Sequence, residues 1–182
     1  MRLAPEAHRH IEAFLRERQG REALRLPPVH VYVGRWSRLL TRTFGILAIT
    51  FGRRVFVSAR VVKRDEQGRL TIPAGLLAHE AMHVAQYTDA GFVGFLFSYL
   101  REYWRELRAQ PGWGRAARQA AYLAIKHERE AYEAEGEYSA WAALVRMSEE
   151  KSVLERADSE PERLQAHFRP GSLKARRPNP RR

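Results

Sequence analysis

The sequence contains no cysteine in its 182 residues. Disulfides, iron–sulfur clusters, thiolate zinc sites and cysteine nucleophiles are therefore excluded, and any metal ion would need His, Asp or Glu ligands. An apolar run of about 18 residues is also absent, which argues against a membrane-spanning helix. The amino-terminal stretch MRLAPEAHRHIEAFLRER carries charges throughout and lacks the apolar core of a signal peptide, so we expect a cytoplasmic protein.

The charge is strongly basic but unevenly distributed. Lys and Arg number 32 against 21 Asp and Glu, which gives a net charge of +11. Residues 169–182 hold six of these cations and no acid, so the rest of the chain carries only +5. We expect one domain over residues 1–160 and a disordered basic, Pro- and Arg-rich tail over 161–182. The tail could bind nucleic acid or an anionic membrane, but a solvated tail without such a partner is at least as well supported.

Periodicity and turn residues predict an α+β protein. We expect a helix over residues 5–19, a strand over 29–33, a loop over 35–42 and a β-hairpin over 44–62. Three helices are expected to follow, over 73–89, 92–109 and 115–149. The sheet is expected to be small and antiparallel. In this arrangement one helix in the middle of the chain and one long helix near its end carry the residues discussed next.

The segment His79-Glu80-Ala81-Met82-His83 is an HExxH motif. Residues four apart share a helix face, so both imidazoles can bind one zinc ion while Glu80, about 100° round the helix, reaches a water on that ion. The surrounding helix is apolar on nearly every side, which predicts that it is buried. Two core histidines with backbone partners are the alternative, but burying two His and one Glu without a purpose would be costly.

A third zinc ligand is expected from the acid-rich helix downstream. Helical periodicity puts Glu128 and Glu135 on a small, apolar face of that helix, and Glu130 and Glu133 on the opposite, solvated face. A carboxylate on an apolar face needs a metal ion, a cation or a proton. We therefore predict Glu128 as the third ligand, with Glu135 as its supporting partner or substitute. The alternative is that Glu128 pairs with one of the many arginines.

The stretch LLAHEAMHVAQY, residues 76–87, followed by EREAY, residues 128–132, resembles small gluzincin metallopeptidases. It is similar to minimal bacterial zincin-like domains that carry HELxHVxQ, including those found with extracellular contractile injection systems. More distantly, it resembles the HtpX heat-shock proteases and the ImmA/IrrE family. The resemblance implies a zincin-like fold, with the small sheet packed on the HExxH helix and on a long helix that bears the ligand Glu128.

In related families an acid four residues after the ligand Glu orients a zinc-bound histidine, but here that position is Tyr132. The resemblance leaves three alternatives for Tyr132. It donates a hydrogen bond to a partner of the histidine, it donates one to a transition-state oxyanion, or it replaces the acid without a function and the site is weaker.

Taken together, the sequence predicts a zinc metallopeptidase with one zinc ion per chain, a peptide or protein substrate and Glu80 as general base. The alternative is a non-catalytic zinc-stabilised domain that binds a protein, nucleic acid or membrane through its basic tail. A membrane or nucleic-acid partner is not favoured. The apolar segment FVGFLFSYL, residues 92–100, is read as core, with a membrane-surface or substrate-binding element as the alternative.

Overall fold

The computed structural model of the protein describes residues 1–44, 46–66, 68 and 70–167. These residues form six helices: α1 Pro5–Gln19, α2 Arg35–Phe44, α3 Ala74–Ala90, α4 Phe92–Arg108, α5 Arg115–Ala124 and α6 Lys126–His167. They also form five short strands: β1 His30–Tyr32, β2 Ala48–Phe51, β3 Arg54–Val57, β4 Lys63–Arg64 and β5 Leu70–Thr71. The expected α+β class is confirmed. None of the helices in the described part of the chain is long and apolar enough to cross a membrane.

The main sheet has three strands in the order β1-β3-β2. Strands β2 and β3 form the expected antiparallel hairpin, in which Gly52 takes the positive φ of 59° that the tight turn requires. Strand β1, however, pairs parallel with β3, with Val31 opposite Val55. The expectation of a purely antiparallel sheet was therefore wrong for this pair. Strand β2 is left at one edge of the sheet, and the separate pair β4–β5 is antiparallel.

Helix α3 is the central element of the fold. Every residue from Leu76 to Tyr87 is buried, as its apolar residues on all sides predict. Its neighbours include β2, α4 and α1. Ile11 and Leu15 of α1, Val31 of β1 and Val55 of β3 are almost completely buried in the same hydrophobic core. This packing places the HExxH motif inside the protein rather than on its surface.

The segment expected to be a loop over 35–42 is helix α2. Over residues 35–42 the buried positions are polar: Ser37 donates a hydrogen bond to the carbonyl of Tyr32, and Thr41 donates one to that of Ser37. Because backbone carbonyls satisfy these hydroxyls, a helix face of polar residues can be buried. The apolar Trp36 and Leu39 are instead exposed, and the prediction of a loop from the polar character of this stretch was wrong.

The long helix expected over 115–149 is divided at Ile125, whose ψ of 130° interrupts the helix between α5 and α6. Residues 1–142 form one compact unit, and a second begins at Ala143. Helix α6 continues through residues 161–167, which belong to the segment expected to be disordered. The remaining tail, 168–182, lies outside the described residues. The expected domain boundary at residue 160 stays a prediction.

Candidate metal centre

Helix α3 carries three of the expected site residues, His79, Glu80 and His83. The two histidines lie four residues apart on one side of the helix, with their ring centroids 5.0 Å apart. All three side chains are buried. The helix itself is fixed by its apolar residues, so these polar groups are held in place by the core around them.

Glu128 approaches the histidines from the first turn of α6. The helix begins at Lys126, whose backbone N–H donates to Oε2 of Glu102 in α4 at 3.0 Å. A carboxylate from another helix thus caps the start of α6. An acid in the first turn is favoured by the helix dipole, so Glu128 is suited to this position. The interruption at Ile125 and the cap together determine where Glu128 points.

His79, His83 and Glu128 form a compact group of possible ligands. Nε2 of His79 lies 3.5 Å from Oε2 of Glu128, and Nε2 of His83 lies 3.4 Å from Oε1 of the same residue. The ligand atoms of all three lie within 4.8 Å of one another. Two ligands on a tetrahedral zinc ion are about 3.3 Å apart for bonds near 2.0 Å, so the two distances between a histidine and Glu128 are close to the edge length of such a site.

One buried oxygen in this group has no hydrogen-bond partner among the described residues, namely Oε2 of Glu128. Leaving a buried carboxylate oxygen unsatisfied is costly, whereas a bound cation would satisfy it. The donor set, the separations and this unsatisfied oxygen therefore fit a metal ion. The structure shows that this buried group could hold one.

His83 and Glu128, which are both buried, shift each other's pKa values. Burial would raise the pKa of Glu128, but its interactions with the nearby His79, His83 and Tyr122 outweigh that effect and hold the pKa well below its ordinary value. Burial would likewise lower the pKa of His83, but the hydrogen bond and charge of Glu128 raise it overall. Without a metal ion, Glu128 therefore stays charged near neutral pH.

Each histidine also has an oxygen beside its other ring nitrogen. Nδ1 of His83 lies 2.9 Å from Oε1 of Gln86, and Nε2 of Gln86 donates to the carbonyl of His127 and to Glu130. Nδ1 of His79 lies 3.2 Å from Oε2 of Glu135, within ion-pair distance but outside hydrogen-bond geometry. Acceptors on the far nitrogen orient a metal-binding imidazole and increase its basicity.

Close helix packing makes the Glu135 contact possible. A Cβ atom on Gly75 of α3 would lie 3.3 Å from both Cγ and the carbonyl oxygen of Glu135 in α6. Any other residue at position 75 would bring its Cβ atom closer to Glu135 than ordinary van der Waals contact. Glycine therefore lets the two helices approach each other at this point.

Glu80 lies outside the ligand group and is oriented separately. Its Oε2 accepts a hydrogen bond from Oγ1 of Thr50 at 2.6 Å, which ties it to the edge strand β2. Burial raises the pKa of Glu80, and the two neighbouring histidines offset part of that rise. A carboxylate with a raised pKa is a better proton acceptor near neutral pH than an ordinary one.

Three tyrosines surround Glu128. Tyr99 of α4 donates to Oε1 of Glu128 at 2.7 Å, and burial followed by the Glu128 charge raises the pKa of both Tyr99 and Tyr122. Tyr132 is 43% exposed, and its ring packs edge-on against His79 with centroids 4.7 Å apart. The acid that lies beside Nδ1 of His79 is Glu135, three residues further along α6 than Tyr132.

Sequence reasoning missed Thr50, Tyr99, Gln86 and Gly75. Gln86 could have been identified, because it lies three residues after His83 and shares its helix face. The other three act across elements that are distant in sequence. No local pattern in the sequence marks them.

Comparison with known proteins gives one match. Residues 8–91 are similar to the eCIS core domain, the core domain of extracellular contractile injection systems. This stretch is just under half of the chain; it includes His79, Glu80 and His83 and ends before Glu128. Neither the curated proteins nor the solved structures give a match.

Proposed function

We propose that this chain is a zinc metallopeptidase-like hydrolase with a zincin-like fold. His79, His83 and Glu128 would hold one zinc ion, and Glu80 would act as the general base. One observation carries the proposal: both Nε2 atoms face the carboxylate of Glu128 at 3.4 and 3.5 Å, while Thr50 holds Glu80 beside that group. Two imidazoles and one carboxylate are also a donor set of catalytic zinc sites.

The zinc ion and the protein's own side chains would contribute different parts of the hydrolysis. Bound zinc would supply Lewis acidity, which polarises a peptide carbonyl and lowers the pKa of water towards neutrality. Glu80 takes the proton of the attacking water and passes it to the leaving amine nitrogen. Thr50 fixes one carboxylate oxygen of Glu80, so the other is available for this transfer.

The substrate would be a peptide or protein in extended conformation. Strand β2 lies at the edge of the main sheet, and the side chain of its Thr50 contacts Glu80. An extended peptide can add to such an edge through main-chain hydrogen bonds. This arrangement would bring a peptide bond towards the ligand group.

Tyr132 would donate to the oxyanion that forms during attack. Burial raises the pKa of its hydroxyl, so the group stays protonated near neutral pH. Its ring lies against His79, and its partial exposure leaves it accessible to substrate. Donors placed where negative charge develops contribute strongly to catalysis.

The similarity over residues 8–91 supports an association with extracellular contractile injection systems. A second candidate function is a non-catalytic zinc-stabilised domain that uses its basic tail to bind a protein, nucleic acid or membrane. The observation in its favour is the burial of the site, because Glu80 and Glu128 are each only 3% exposed. A structural zinc ion needs no access for substrate.

Hydrolysis by the full-length protein tests the proposal. Unfolded casein, a peptide library and the protein's own tail are suitable substrates. We expect cleavage that stops on chelation and returns with added zinc. Zinc binding without cleavage of any of these substrates would favour the second candidate, and cleavage unaffected by chelation would contradict the proposal.

A further inference from the structure

Helix α4 has two faces of different character. Its inner face contacts the candidate metal centre: Phe95 is buried beside His83, and Tyr99 donates to Glu128. Its outer face is exposed and apolar, with Val93, Phe97, Leu100 and Trp104 respectively 78%, 67%, 46% and 49% exposed. At about 100° per residue these four side chains fall within about 60° of one another, which makes a continuous stripe.

The charged residues of α4 are segregated. Arg101, Arg105 and Arg108 all lie along one side of the stripe, between about 60° and 120° from Val93. The two acids of α4 point away from it: Glu102 caps α6, and Glu106 pairs with Arg105. Among the described residues, Arg101 and Arg108 have no acidic partner. The exposed face is therefore apolar and cationic, without a negative charge of its own.

The carboxyl-terminal half of the stripe combines aromatic and cationic groups. Arg101, Trp104, Arg105 and Arg108 line a cleft of about 860 Å³. Trp113, just beyond α4, is 62% exposed, and its ring centroid lies 6.1 Å from that of Trp104. Tryptophan and arginine together suit the headgroup region of a bilayer, where apolar rings and phosphate groups meet.

We propose that this outer face of α4 binds the surface of an anionic lipid membrane. The helix would lie in the plane of the interface, with its apolar stripe among the acyl chains and its arginines on lipid phosphates. Charge complementarity identifies the partner, because a cationic flank without acids matches an anionic surface. A nucleic acid would use the arginines and Trp104 but would leave Val93, Phe97 and Leu100 exposed to water.

This surface is independent of the basic tail and of the proposed hydrolysis. It is carried by an ordered helix, 17 residues long. It also lies opposite the residues that line the metal centre, so changes to it leave the zinc ligands in place. Failure of the membrane proposal and failure of the proposed function can therefore be distinguished.

Vesicle sedimentation with the full-length protein tests the proposal. The vesicles are phosphatidylcholine alone and phosphatidylcholine mixed with phosphatidylglycerol. We expect binding to the mixed vesicles that weakens with added salt. Phe97→Gln should reduce the apparent affinity about tenfold or more, because burying a phenyl group in an apolar phase is strongly favourable. Arg101→Gln combined with Arg108→Gln should also weaken binding.

Two control variants complete the test. Trp36→Gln removes an aromatic that is 75% exposed on α2, and it should leave binding unchanged. Arg176→Gln combined with Arg177→Gln reduces the charge of the tail and should leave most of the binding intact. Unchanged zinc content and thermal unfolding would show that Phe97→Gln still folds.

Three results would overturn the proposal. The first is that the protein binds neither kind of vesicle. The second is that Phe97→Gln binds as tightly as the wild type while the tail variant does not bind. The third is that the arginines of α4 are needed to bind an oligonucleotide and have no effect on vesicles.

Discussion

Nδ1 of His79 lies 3.2 Å from Oε2 of Glu135, while Nε2 of the same ring faces Glu128. Both acids come from α6, seven residues or about two turns apart. One helix therefore supplies the carboxylate beside the expected metal position and the carboxylate behind the imidazole.

Glu135→Gln should weaken zinc binding about 10- to 100-fold while leaving the fold intact, because the loss of an outer carboxylate reduces the basicity and orientation of a metal-binding histidine. Competition with a chromophoric chelator measures the affinity. Glu133→Gln is the matched control, since Glu133 lies on the exposed side of the same helix and pairs with Arg18. Equal affinities for the two variants would show that Glu135 does not support His79.

Gly75→Ala should weaken zinc binding, because its Cβ atom would press on Cγ and the backbone carbonyl of Glu135 at 3.3 Å. The backbone oxygen cannot rotate away as the end of a side chain can. Gly136→Ala is the control: nothing lies within 4 Å of that position. The control should gain up to about 1 kcal/mol in unfolding free energy from helix propensity alone. Zinc affinity that is unchanged in Gly75→Ala would contradict the packing argument.

Tyr99→Phe should reduce zinc affinity and destabilise the metal-free protein, since it removes the donor that lies 2.7 Å from Oε1 of Glu128. Hydrogen bonds to charged groups contribute about 1.5–3 kcal/mol. Thermal unfolding and chelator competition measure the two effects. Tyr103→Phe, a partly buried tyrosine on the same helix, should have little effect on either. If both variants behave alike, Tyr99 does not stabilise the Glu128 carboxylate.

Zinc affinity should fall as the pH falls. Binding needs His83 neutral, and the pKa of His83 is raised by Glu128, so protons begin to compete above its ordinary value of 6.5. Glu128 has a lowered pKa and stays charged through this range. Chelator competition between about pH 5 and 8 covers the transition. An affinity independent of pH over that range would contradict a site that includes His83.

The stability of the metal-free protein depends on pH in the opposite direction to the zinc affinity. A folded-state pKa raised above the unfolded value means that the protonated His83–Glu128 pair stabilises the fold below the unfolded pKa. That contribution is lost as the pH rises through the folded pKa. Added zinc should therefore raise the thermal unfolding temperature more at alkaline than at acidic pH.

The sequence predicted those parts of the fold that depend on local patterns. Helix α3 was evident because it is apolar on all sides around the HExxH motif. Glu128 was placed on the inward side of its helix by periodicity alone, and the structure puts it beside both histidines. The hairpin of β2 and β3 followed from two β-rich runs joined by Gly52-Arg53. In each case the deciding residues lie within a few positions of one another.

The missed features depend on partners distant in sequence. The interruption at Ile125 has no glycine or proline to mark it, and the cap of α6 comes from Glu102 in another helix. The parallel pairing of β1 with β3 likewise joins strands that are not adjacent in the chain. Ser37 and Thr41 of α2 can be buried because backbone carbonyls accept hydrogen bonds from their hydroxyls. Such tertiary contacts leave no periodic signal in the sequence.

Glu80→Gln tests the central claim most directly, because the substitution keeps the shape of the side chain and removes the base. We predict that zinc content, measured by emission spectroscopy, and thermal stability stay nearly unchanged. Peptide hydrolysis should fall by about two orders of magnitude or more, since general base catalysis contributes 10²–10⁴-fold. Wild-type hydrolysis that survives in Glu80→Gln would contradict the account, as would a purified protein that binds no zinc.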